Sequence, residues 1–81
     1  AAPSFLTLNV AIKNKDSFKK ILDNVKQVNS VDYFFIESFD DSSAKIKVKF
    51  YGNVKNLQNN LIENGFEVKF FNEQWNLKLN K

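Results

Sequence analysis

Lys45, Lys47 and Lys49 alternate with Ile46, Val48 and Phe50 in the stretch AKIKVKFYGN, residues 44–53. Three ammonium groups on one side of an extended segment can neutralise phosphates. They can equally keep the wet side of a strand soluble. Two features argue against phosphate recognition. The twelve basic residues include no arginine, so the planar fork that grips phosphate or guanine with two bonds is missing. The net charge of +3 is mild.

Catalytic chemistry has even less to work with. The chain has no histidine and no cysteine. That removes Cys–His nucleophiles, the usual zinc sites and the commonest general base. Ser17, Ser42 and Ser43 therefore have no imidazole to activate them. The two glycines, Gly52 and Gly65, cannot build a glycine-rich phosphate loop. Glu37, Asp40 and Asp41 gather around one turn, but their spacing matches no EF-hand loop and lacks its glycine. The expectation is a non-enzymatic protein with no cofactor and no metal. A cysteine-free chain is compatible with any redox compartment.

The elements that must position these residues can be read from periodicity. SFLTLNVAI (4–12) alternates, with Leu6, Leu8, Val10 and Ile12 on one side and Phe5, Thr7, Asn9 and Ala11 on the other. In NKDSFKKILDNVKQV (14–28), Phe18, Ile21, Leu22, Val25 and Val28 lie along one helical face, with Asn14 or Asp16 able to cap it. VDYFFIESF (31–39) is rich in β-branched and aromatic residues and apolar on both sides, so alternation does not tell which side is buried. DDSS (40–43) is a turn by composition, followed by the alternating AKIKVKFYG. NVKNLQNNLIENG (53–65) predicts a second helix, capped by Asn53 and ended by Gly65. FEVKFF (66–71), the short turn NEQ and WNLKL (75–79) predict a hairpin.

This order, β-α-β-β-α-β with a further C-terminal strand, predicts an α+β ferredoxin-like fold. Two right-handed crossovers would place both helices on one face of an antiparallel sheet, with residues 75–79 at its edge. One domain spanning 1–81 is expected at this length. Methionine is absent, even at position 1, so the chain reads as a processed product or a piece of a longer protein. The opening AAPS is compatible with signal cleavage or a cloning remnant. No apolar run approaches the roughly 18 residues of a membrane span.

In that topology Lys45, Lys47 and Lys49 occupy the middle of the open face, beside Thr7 and Asn9. RNA-recognition domains use this same face but stack bases on aromatic rings of the central strands. Here lysines stand where those rings belong. Acylphosphatases share the topology but need an arginine, and metallochaperones need Cys-x-x-Cys where this chain has KNKDS. The favoured expectation is therefore a non-catalytic protein-interaction or scaffolding module, docking a protein partner or a second copy through a sheet edge or the open face. Its expected contacts are Tyr33, Phe35, Trp75 and Leu77, with the terminal strand as a template for strand addition. Binding of single-stranded nucleic acid through Lys45, Lys47 and Lys49 is the rival.

The succession VNSVDYFFIESF, AKIKVKFYGN, LQNNLIENGFEV and WNLKL resembles small ferredoxin-like domains of bacterial cell-envelope assembly proteins. Examples are the periplasmic domain of the type II secretion platform protein and comparable pilus-assembly domains. It is also similar to an uncharacterised envelope domain family ending in a Trp-x-Leu strand. The resemblance spans about three quarters of the chain. It implies dimerisation and scaffolding without catalysis, in the periplasm or cell envelope.

Overall fold

A computed structural model describes residues 3–80; Lys81 and the first two residues of the AAPS segment lie outside them. The elements are β1 (Ser4–Ala11), α1 (Lys15–Lys26), β2 (Val31–Phe39), β3 (Ser43–Phe50), α2 (Val54–Glu63), β4 (Phe66–Phe71) and β5 (Gln74–Leu79). No helix among them is long and apolar enough to cross a membrane.

Local chemistry sets the helix ends. The Asn14 side chain accepts from the Ser17 amide at 2.8 Å, and Asn53 does the same for Asn56 at 2.8 Å. Each satisfies a first-turn N–H that has no partner within its helix. Asp16 adds negative charge at the positive end of α1. Gly65, at φ +90°, takes the left-handed position just beyond α2 and donates to the Ile62 carbonyl.

The five strands form one sheet in the order β2-β3-β1-β5-β4. The α+β class holds, but the ferredoxin-like arrangement does not. That arrangement sets the fourth strand directly against the first, with all neighbours antiparallel. Here β5 runs parallel to β1 and separates it from β4 (Leu8 opposite Trp75, Val10 opposite Leu77). The sheet is mixed, β5 is interior, and β4 is the edge. The terminal strand expected at the rim thus lies inside the sheet.

Side-chain chemistry accounts for this choice. On the helix side β5 offers Trp75, Leu77 and Leu79, all buried or half-buried. On the other side Asn9 Nδ2 donates to Asn76 Oδ1 at 3.1 Å, directly across the β1–β5 seam. The strand left outside carries Glu67 and Lys69 on the side away from the helices.

All core residues of the sheet point one way. Leu8, Val10, Ile46, Val48, Phe50, Phe66, Val68 and Leu77 pack with Ile21, Val25 and Val28 around α1, and with Leu57 and Leu61 of α2. Phe50 and Phe66 are the largest fully buried side chains. Each such burial contributes on the order of 1.5–3 kcal/mol. Register settles the ambiguity of β2: Phe34 and Ile36 face Val48 and Ile46 on the helix side, and Tyr33 and Phe35 face Lys49 and Lys47 on the other. The β2–β3 register skips at Asp32 and at Glu37.

The β4–β5 turn is Asn72-Glu73, with φ 52° and 60°. A two-residue hairpin with both centres left-handed is a type I′ turn, which asparagine followed by glycine suits best. A glutamate there carries Cβ strain. Glu73→Gly is expected to raise stability by about 0.5–1 kcal/mol. In thermal denaturation the midpoint should rise by roughly 3–6 °C. An unchanged or lower midpoint would contradict this turn geometry.

Candidate functional site

Alternation places Phe5, Thr7 and Asn9 of β1 beside Lys45, Lys47 and Lys49 of β3 on the face away from the helices. Tyr33 and Phe35 of β2 flank the lysines on the other side. Gln74, Asn76 and Lys78 of β5 continue the face toward β4. The lysine row is therefore central and open, as expected, and it is not bare. Phe5, Tyr33 and Phe35 are 49%, 48% and 46% exposed.

Lysines and rings are interleaved. Lys49 lies between Phe5 and Tyr33 in the register, and its Nζ sits 5.2 Å from the Tyr33 ring centroid. Lys47 Nζ lies 5.3 Å from the Phe5 centroid. Both distances suit a cation over an aromatic face. Asp32, the residue skipped in the β2 register, brings its carboxylate within 3.4 Å of Lys49 and accepts from the Tyr51 hydroxyl at 3.3 Å. Lys45 Nζ donates to Gln74 Oε1 at 2.9 Å. The face thus has an aromatic–cationic half over β2, β3 and the start of β1. Its other half is an amide-rich band over β1 and β5.

The structure divides the expected contact residues. Tyr33 and Phe35 join the lysines on one surface. Trp75 and Leu77 point the opposite way: Leu77 belongs to the core, and Trp75 is half-buried against Phe70, with ring centroids 5.2 Å apart. The open edge lies at β4 and not at residues 75–79, where the sequence leads one to expect it. Phe5 and Tyr51 were missed as members of the open face. For Phe5 the signal was in plain view, because it shares its alternation with Thr7 and Asn9.

A cleft of about 590 Å³ opens where β1 ends and β5 runs on, with Ile21, Leu77 and Leu79 as its apolar lining and Lys13, Lys20 and Lys78 around them. Its carboxylate, Glu67, lies 3.5 Å from Lys69, and its Ser17 hydroxyl donates to the Asn14 carbonyl. No group of three or more acidic side chains that could hold a metal ion occurs among the described residues.

At the β2–β3 turn the Asp40 carboxylate accepts from the Ser42 and Ser43 amides at 2.8 and 2.9 Å and from the Ser42 hydroxyl at 3.2 Å. These bonds favour the charged form, so the carboxyl titrates below the ordinary aspartate value. A lowered folded-state pKa contributes stability above the unfolded-state value and loses it as pH falls through the folded one. A carbon-detected titration should place the Asp40 midpoint below the ordinary aspartate value. Asp40→Asn should flatten the acid limb of the stability profile. An Asp40 midpoint at or above the ordinary aspartate value would contradict the turn.

No protein-family model matches the chain, and no curated protein or solved structure matches it significantly.

Proposed function

We propose that the chain is a non-catalytic interaction module that docks a protein partner on the open face of its sheet. The observation that carries this reading is the set of half-exposed rings, Phe5, Tyr33 and Phe35, gathered around Lys47 and Lys49. Apolar surface rimmed by polar groups is costly to leave in water and typifies binding surfaces. Aromatic residues supply large contact area with few rotamers to fix. The partner that fits is a segment combining apolar side chains for the rings with carboxylates for Lys45 and Lys47. An assembly role in the cell envelope is the setting that the sequence resemblance implies.

Single-stranded nucleic acid is the second reading, favoured by rings and lysines alternating on one face. Against it, the ring faces of Phe5 and Tyr33 already carry lysine ammonium groups, and Lys49 is offset by Asp32. Arginine is absent as well.

Two probes separate the readings. Peptide display against the immobilised chain should enrich acidic–aromatic sequences whose binding is lost in Tyr33→Ser/Phe35→Ser. A 15-mer of deoxythymidine at low salt should show no saturable binding. Saturable oligonucleotide binding that falls steeply as salt rises would favour nucleic acid. Enriched peptides that bind the double variant equally well would move the docking site off this face.

A further inference from the structure

The outer edge of β4 has a pattern that matches itself. The Asn80 amide donates to the Gly65 carbonyl at 2.9 Å, so positions 65 and 80 form a hydrogen-bonded pair. Hydrogen-bonded and non-bonded pairs alternate along an antiparallel ladder. Phe66, Val68 and Phe70 are therefore the non-bonded positions opposite β5, and their N–H and C=O groups point outward. The Gln58 side chain, reaching over from α2 to donate to the Val68 carbonyl at 3.3 Å, agrees with this.

We propose that two copies of the chain pair antiparallel through β4, Val68 opposite Val68, to make one continuous ten-stranded sheet. This is a surface separate from the open face, and the inference stands without the docking reading above. Register selects this alignment. It sets Phe66 opposite the partner's Phe70, so all outward groups of positions 66, 68 and 70 find partners. It also sets Glu67 opposite the partner's Lys69, and Lys69 opposite the partner's Glu67. Sliding either way by one hydrogen-bonding step sets Glu67 against the partner's Glu67, or Lys69 against the partner's Lys69. Like charges directly across are unfavourable.

Packing agrees. Phe70 is 61% exposed and Ile62 51%. Ile62 lies one turn beyond Gln58 on the side of α2 that reaches the β4 edge, four residues before the Phe66 end of β4. Pairing would bring the partner's Phe70 to that end of the strand, covering both side chains. In exchange Gln58 must release the Val68 carbonyl. The other edge is less suited: β2 is interrupted at Asp32 and Glu37, and bulges with charged residues blunt an edge against pairing.

Charge reversal tests the pairing. Wild type should show concentration-dependent dimers in sedimentation velocity, with the amide signals of residues 66–70 moving on dilution. Glu67→Lys alone sets lysine against lysine, and Lys69→Glu alone sets glutamate against glutamate; each should dimerise about ten- to thirtyfold more weakly. Mixing the two variants restores both opposite pairs and should yield a heterodimer. A wild type that stays monomeric into the high micromolar range overturns the proposal. So does a wild-type dimer that either reversal leaves unchanged, or a mixture that fails to associate. Circular dichroism checks folding. If a reversed chain does not fold, Glu67→Gln and Lys69→Gln take its place, and dimerisation undiminished in both overturns the proposal.

Discussion

The strand β3 sits between β1 and β2, and its alternation holds the whole arrangement in place. Ala44, Ile46, Val48 and Phe50 are buried, whereas Lys45, Lys47 and Lys49 point away from the helices. A slip of one residue would drive three ammonium groups under α1 and α2 and lift four apolar side chains into water. Desolvating an unpaired ammonium costs several kcal/mol, more than a domain of this size can offset three times over. The register of β3 therefore fixes β1 on one side and β2 on the other. It also decides which face stays open.

The open face follows from a shortage of cover. Two helices, of twelve and ten residues, shelter one side of five strands. The chain leaves half-exposed rings on the other side and places lysines among them. Cation–ring contacts and the Asp32–Lys49 pair keep that surface wet without burying it. At its two margins the sheet is finished differently. β2 is interrupted by acidic residues, and β4 is regular and carries one charge of each sign. The proposed docking face and the proposed pairing edge therefore use different residues.

Much of this architecture was legible in the residues. The Asn53 cap, the Gly65 stop and the alternation of AKIKVKFYG each have a local physical cause and stand where the sequence puts them, and of the two caps offered for α1, Asn14 or Asp16, the structure uses Asn14. The buried side of β2 was not legible, because Tyr33, Phe34, Phe35 and Ile36 are apolar on both sides and two register skips shift the alternation. The position of β5 was not legible either. Alternation identifies FEVKFF and WNLKL as a hairpin and says which sides are apolar. It does not say which of the two strands abuts β1, since a crossover through α2 can deliver β4 beside β1 or one strand farther out. That choice rests on contacts distant in sequence, above all Asn9 with Asn76 and Val10 beside Leu77. Misplacing β5 is also what made Trp75 and Leu77 read as contact residues.

Native-state hydrogen exchange at low protein concentration tests the insertion of β5 most directly. With β5 between β1 and β4, the Trp75 and Leu77 amides point toward β1 and should exchange slowly. The Val68 and Phe70 amides, on the free edge, should exchange fast. Slow exchange at Val68 and Phe70 together with fast exchange at Trp75 and Leu77 would put β4 against β1 and contradict the account.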